Sequence, residues 1–394
     1  MLKCTVVDRW FVSVVLWGRF FGVSLPTGGM TRGVIQIGTG GWGEQWCRKF
    51  LPPNVESGRI EVVAAVDTDA GALENAQDGL DLPETRCYTD LETALEARAA
   101  EADVCTVAVP PAAHESVVET VLKYDLDVLC EKPIADTLEG ACRIAERVDR
   151  AGATMGVTMS HRFDRDKTTL RRALRSDAYG PLSYLVYRFT QDCREYGEWD
   201  RRLYDTEDAL VSEGSIHHLD ILADLADSRC ETVYARTTAP DWSDFTGASQ
   251  VFATVTFENG VQAQYEASTA NAAGLNGWGS DYVRAECRDA TLELDRRELM
   301  AYEHDPDADP SHDRDDLTGE PVPLADGEHW GNTWLIEQFV DWLDGGESFP
   351  TDVESNLQSV ALVESVLQSA AKGHPVAVQE LLGEAREQAR ADLR

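Results

Sequence analysis

Residues 34–43 read VIQIGTGGWG and residues 61–67 read EVVAAVD. The run Val34 to Ile37 meets Gly38-Thr39-Gly40-Gly41-Trp42-Gly43, a GxGxxG pattern between an expected strand and an expected helix. The second run, Val62 to Val66, ends in Asp67, 24 residues past Gly43. That is near the spacing at which a carboxylate closing the second strand reaches an adenosine ribose. Gly38 permits the tight turn out of the strand, Gly40 lets a pyrophosphate approach the backbone, and Gly43 lets the helix pack closely on the sheet. The free N–H groups of the helix N-terminus would face the phosphates. A turn with only a structural role is the competing reading. The ordered strand, glycines and acid favour a dinucleotide site.

Outward from this stretch, strand and helix alternate over 34–158. Helices are expected at 44–57, leaving through Pro52 and Pro53, and at 69–78, 90–98, 113–123 and 136–151. Strands are expected at Cys87-Tyr88, Val104 to Pro110, Asp127 to Cys130 and Thr154 to Thr158. Such alternation predicts an α/β Rossmann domain, a doubly wound parallel sheet. After about residue 160 and one helix at 167–176, alternating runs appear at 183–190, 230–238, 250–257, 261–268, 282–287 and 291–295. Glu258-Asn259-Gly260 between two of them reads as a hairpin turn. An α+β domain with a mostly antiparallel sheet is expected there. Residues 304–328 read as an exposed acidic loop, and amphipathic helices are expected at 334–343 and 356–371, with Gly373 as C-cap.

Acidic residues number 70 against 35 basic, for a formal net charge of -35, and lysine stands only at positions 3, 49, 123, 132, 167 and 372. Acid spread along the chain with few lysines looks like a protein of a salt-accumulating halophile, and makes nucleic acids and anionic membranes poor partners. The nine cysteines are scattered, with no CxxC, so a reducing cytoplasmic interior is expected rather than a disulfide framework. Residues 1–29 fit poorly with the rest of the chain: their apolar run, Phe11 to Trp17, is too short to span a bilayer. The expected start is Met30, with 1–29 a misassigned stretch; a native extension and a secretion signal are the alternatives.

Three further segments, AVPPAAH at 108–114, CEKP at 130–133 and EGSIHHLD at 213–220, stand with the glycine segment. Together they resemble the glucose–fructose oxidoreductase / inositol dehydrogenase / rhizopine-catabolism family of nicotinamide-dependent enzymes. The resemblance covers residues 34 to about 376, including SAAKGHPV at 369–376. It implies a nucleotide-binding domain over 30–158, a substrate-binding and oligomerisation domain over 159–376 closed by helices within 332–371, and a charged helical tail at 377–394. It also implies hydride transfer between the cofactor and a sugar, polyol or sugar-acid hydroxyl, in a homodimer or homotetramer.

Lys132 follows a buried strand at the edge where open α/β sheets place ligands. The resemblance makes it the group that hydrogen-bonds the substrate hydroxyl and stabilises a developing alkoxide, with a cis peptide before Pro133. It makes His217 the general base, a task suited to an imidazole. On a helix, Glu213, His217 and Asp220 share one face. Many family members carry aspartate and glycine where Glu213 and Ser215 stand, so Glu213 either contacts substrate or His217, or makes a structural ion pair. His218 is read as a packing or capping residue. Pro110, His114, Glu131 and Lys132 are expected at the cofactor, with His114 packing the helix near the nicotinamide. Arg162 is expected beside the substrate with Lys132, Glu213 and His217, and Tyr187, Arg188, Trp199, Arg201 and Arg202 are candidates for reading substrate polar groups. Asp67 favours NAD over NADP, because a carboxylate accepts ribose hydroxyls and repels a 2′-phosphate. No metal site is expected, since His217, His218 and Asp220 diverge in direction. Two rival activities fit the same residues: a glycosidase or lyase using NAD for transient oxidation, and a non-enzymatic sugar or dinucleotide sensor.

Overall fold

Val34, Ile35 and Ile37 are buried in a strand, β1, that runs Arg32–Ile37, as a parallel strand covered on both faces requires. The computed structural model describes residues 30–307 and 318–394. The expectations for residues 1–29, and for 308–317 of the acidic loop, lie outside the described residues. β1 is joined by β2 (Ile60–Val66), β3 (Cys87–Tyr88), β4 (Val104–Val107), β5 (Asp127–Cys130) and β6 (Met155–Val157). All pair in parallel, in the order β3-β2-β1-β4-β5-β6. The order reverses between β1 and β4, so the crevice at their carboxyl ends is where such a sheet binds ligands.

The first helix departs from expectation. It runs on through the prolines as Leu51–Glu56 instead of ending at them, and a wider π turn over Trp46–Phe50 precedes it. Pro52 and Pro53 lack N–H donors and crowd carbonyls four residues back, and a widened turn makes room for them. The helix expected at 69–78 begins only at Glu74, after a turn containing Gly71.

The second sheet gathers β7 (Leu182–Thr190), β8 (Cys230–Thr238), β9 (Gln250–Phe257), β10 (Gln262–Ser268), β11 (Tyr282–Cys287) and β12 (Ala290–Asp295). β13 (Glu298–Glu303), β14 (Glu320–Pro321) and β15 (Val376–Ala377) add to its two ends and are not expected from the sequence. Only β7 and β10 pair in parallel among the described strands of this sheet. The β9–β10 hairpin turns at Gly260, whose φ of 90° suits a residue without a Cβ. Helices Ile216–Ala226 and Val353–Lys372 bury Leu222, Leu225, Val360 and Val363 in one core with Val233, Val251 and Val255. Tyr184, Tyr234 and Phe252 of this sheet are exposed.

Two segments tie the halves together more closely than the expected boundaries suggest. Helix Asn332–Leu343 buries Leu335, Ile336, Phe339 and Val340 in the core around Val34, Trp46 and Leu51, inside the nucleotide-binding half. The tail helix Val378–Asp392 buries Val378, Leu382, Ala385 and Ala389. Its Arg390 pairs with Glu146 of the nucleotide-binding half. Burying apolar side chains on both halves fixes the cleft between them. No helix among the described residues is long and apolar enough to cross a membrane.

Candidate active site

The glycine turn is held by contacts that allow no side chain. A Cβ on Gly43 would stand 2.3 Å from the Gly38 carbonyl oxygen, and one on Gly38 would stand 2.4 Å from that of Ala108. Gln36, buried in β1, donates from Nε2 to the Gly38 oxygen at 2.7 Å and accepts from the Thr106 hydroxyl at 2.6 Å. This one polar residue in an apolar run therefore orients the turn from beneath. At the end of β2, Asp67 Oδ2 accepts from the N–H groups of Thr39 (2.7 Å) and Gly40 (3.0 Å), and its Oδ1 from that of Asp69 (2.9 Å). The loop therefore aims backbone donors at an anionic oxygen, with Gly41 at its tip and open space beside it. These residues fit a dinucleotide whose pyrophosphate lies on the loop and whose ribose meets Asp67.

Trp42 and Trp46 stand one helical turn apart, and both indole N–H groups donate to Glu131 Oε1 at 2.8 Å. Glu131 Oε2 accepts from the Lys132 N–H at 3.1 Å. A buried carboxylate needs such donors. Here they anchor the segment that carries Lys132, whose bond to Pro133 is cis. His114, fully buried, faces the carbonyls of Pro133 (3.1 Å), Ile134 (3.2 Å) and Val109 (2.9 Å). It therefore joins the cis-proline loop to the strand-end loop that contains exposed Pro110. Its burial corrects the expectation of cofactor contact: it positions the loop.

From this anchored loop Lys132 Nζ donates to the Glu213 backbone oxygen at 3.1 Å and faces its Oε2 at 3.3 Å. Glu213 lies in a π turn, Leu210–Ser215, at the entrance to helix Ile216–Ala226, a distortion that re-aims side chains. Its Oε1 accepts from both terminal nitrogens of Arg202 at 3.3 Å. Trp199 and Trp278 cover the adjacent Gly214. One turn on, His217 is 7% exposed, and its Nδ1 is buried without a hydrogen-bond partner. Burial, with His161 and Lys132 close by, holds its pKa well below the usual imidazole range. The ring is therefore neutral near pH 7. His218 points into the second sheet, where its Nδ1 meets the Tyr265 hydroxyl at 2.8 Å. Burial pushes its pKa down to about 3.

Residues 32–159 match the family model described as the GFO/IDH/MocA oxidoreductase family, NAD-binding Rossmann fold. Residues 168–291 match that family's C-terminal domain. The chain belongs to the GFO/IDH/MocA oxidoreductase family. It is 45% identical over 353 residues to an uncharacterised protein of Sinorhizobium fredii, covering 90% of this chain and 97% of that protein. It is 26% identical over 338 residues to D-apiose dehydrogenase of Paraburkholderia graminis, covering 82% and 85%. An oxidoreductase from Agrobacterium radiobacter, solved with NAD+, L-tartaric acid and magnesium, superposes with a TM-score of 0.74 at 18% identity, covering 89% and 99%. The chain is thus an oxidoreductase of an NAD-binding family, and its two-domain fold is the family's.

Within this family member, not every expected residue reaches the site. Arg162 is committed to a buried ion-pair network: it binds both oxygens of Asp220 (2.6 and 2.8 Å), reaches Asp224 at 3.4 Å and donates to the Pro350 carbonyl. Its guanidinium therefore braces the helix that carries His217, which corrects the expectation of substrate contact. Tyr187 is fully buried in the second core, and Arg188 pairs with Glu266 on the sheet surface, so neither reads substrate. Arg202 and Trp199 do join the cluster. Sequence reasoning misses His161, Trp46, Trp278 and the buried Lys167–Asp281 pair at 2.7 Å. A lysine in a lysine-poor chain is the available signal for Lys167. His161, next to Arg162, belongs to no pattern that marks it.

Proposed function

We propose that this oxidoreductase transfers a hydride between NAD and a hydroxyl-bearing carbon of a sugar, polyol or sugar acid. The observation that carries the reading is the convergence of the Lys132 ammonium, the Glu213 carboxylate and neutral, buried His217, with Lys132 on the segment that Trp42 of the glycine turn holds through Glu131. The names of the relatives, D-apiose dehydrogenase and inositol 2-dehydrogenase, support it. Bound nicotinamide supplies the hydride acceptor. In oxidation, His217 accepts the substrate hydroxyl proton at Nε2, the nitrogen not sealed in the interior. Lys132 donates a hydrogen bond to the oxygen as negative charge builds there, a contact strengthened by partial desolvation. Glu213 holds the ammonium in place from the other side, and Arg202 limits the excess negative charge on Glu213. In reduction, Lys132 polarises the carbonyl and His217 returns the proton. Asp67 supports NAD ahead of NADP through charge repulsion of a 2′-phosphate. Exposed Tyr184, Tyr234 and Phe252 support a homodimer or homotetramer through the second sheet. The eight described cysteines, all free, support a cytoplasmic setting, and the acidic excess supports one rich in salt.

The test is turnover by the full chain in concentrated KCl, with NAD and NADP each offered against sugars, polyols and sugar acids. Reduced cofactor should accumulate with NAD and a hydroxylated substrate. Tight NAD binding with no net reduction, accompanied by glycoside cleavage, would replace this reading with transient-redox hydrolysis.

A further inference from the structure

Three buried histidines can be compared by what fixes each ring. His114 has backbone carbonyls at both nitrogens, and His218 has the Tyr265 hydroxyl. His217, the one assigned to meet substrate, has no hydrogen bond at Nδ1. A ring that must accept a proton along one direction needs its plane held. What lies against it is His161, stacked at 4.4 Å between centroids with 19° between planes. Trp278 completes the enclosure, meeting His161 edge-on at 5.5 Å and His217 at 6.2 Å.

His161 stands in the short turn Ser160–Phe163, separated by two residues from the last strand of the nucleotide-binding sheet. The next residue, Arg162, is locked to Asp220 of the helix that carries His217. The stack is therefore built on a rigid mount: the same turn grips the helix with an ion pair and presents a flat ring to its neighbour three positions earlier. His161 Nδ1 is also buried without a partner, so the pair meets as ring faces rather than through a hydrogen bond.

We infer that His161 is a positioning residue for His217: its ring face sets the plane of the His217 imidazole, doing the work that a hydrogen bond does for the other two histidines. The inference rests on His217 being the base. The charged and titratable groups around the pair are Lys132 from the cis-proline loop, His218 on the same helix as His217, and Asp164, Lys167 and Asp281 around His161. Because a face does the positioning, an aromatic ring without nitrogens serves in its place.

The experiment compares His161→Phe and His161→Ala in the full-length protein. His161→Phe should keep kcat within about threefold of wild type. His161→Ala should lose about 100-fold in kcat with KM and NAD affinity nearly unchanged. In protein labelled with 15N only at histidine, the His217 ring should give one set of signals in wild type and His161→Phe, and broadened or multiple signals in His161→Ala. Equal activity and equal His217 signals in all three proteins would overturn the inference. So would a loss in His161→Phe as large as in His161→Ala, since that would assign the role to a ring nitrogen. Lys132→Ala and His217→Ala separate the two levels: if both keep turnover the reading of the site fails, and if both lose it while His161→Ala does not, only this inference fails.

Discussion

The cofactor side and the substrate side of the cleft are organised by different forces. On the cofactor side nearly every determinant is local or backbone-borne. Gly38, Gly43 and the Thr39 and Gly40 N–H groups form a turn whose shape follows from close approach, and Asp67 closes it one strand away. On the proposed substrate side the contacts join side chains brought from distant segments: Lys132, Arg202, Glu213, His217, His161 and Trp278. A site made from backbone tolerates little change in its few glycines. A site made from side chains can change substrate by replacing a wall while keeping its lysine and histidine. The family's constancy of fold with varied dehydrogenase names fits that division.

Substitutions can break this comparison at either side. The largest effect belongs to the substrate side: His217→Ala should lower kcat by about 10²–10⁴ with NAD affinity unchanged in a fluorescence titration, and Lys132→Ala should lower kcat by a similar factor. Weakened NAD binding in His217→Ala would show that the two sides are not separable. Next is the brace between them. Asp220→Ala removes the two-oxygen partner of buried Arg162, leaving it Asp224 at 3.4 Å and the Pro350 carbonyl, and should destabilise the fold by about 3 kcal/mol in denaturant unfolding. On the cofactor side, Asp67→Ala should weaken NAD by about 10–100-fold while sparing NADP, because one change removes both a ribose acceptor and a repulsive charge. An equal loss for both dinucleotides would mean that Asp67 serves only the turn. A pH-dependent effect comes from His218, neutral in the fold with its pKa near 3. The unfolded chain binds that proton below about pH 6.5, so stability is full above that pH and falls as pH drops toward 3, by at most ~1.4 kcal/mol per pH unit. His218→Phe should flatten that slope. Trp46→Phe should cost about 1 kcal/mol, since Glu131 keeps Trp42 and the Lys132 N–H as donors.

The same division explains what is legible in the sequence. The parallel sheet is readable because buried runs, glycines and caps report on neighbours a few residues away. The bounds of β8, β9 and β11 coincide with the expected runs. Lys132, Glu213 and His217 are legible through the resemblance, and they converge as it implies. Arg162 is misread because a cation next to a pocket looks the same in sequence whether it faces substrate or a buried carboxylate; only packing shows that Asp220 claims it. His114 is misread for a related reason, since its carbonyl partners exist only once the cis-proline loop has formed. The prolines at 52 and 53 read as a stop because a π turn leaves no residue-level signature. His161 and Trp278 are invisible for want of any local pattern: residues from two loops, 117 apart in the chain, become neighbours through tertiary packing alone.

The most direct test of hydride transfer at Lys132 and His217 follows one atom. A substrate identified by turnover is deuterated at its carbinol carbon and mixed with NAD and the full-length protein, and the label is traced by mass spectrometry. The account predicts that deuterium appears on the reduced nicotinamide at a rate lowered about 10³-fold in His217→Ala. Deuterium released to water, or transferred equally fast by His217→Ala, would contradict it.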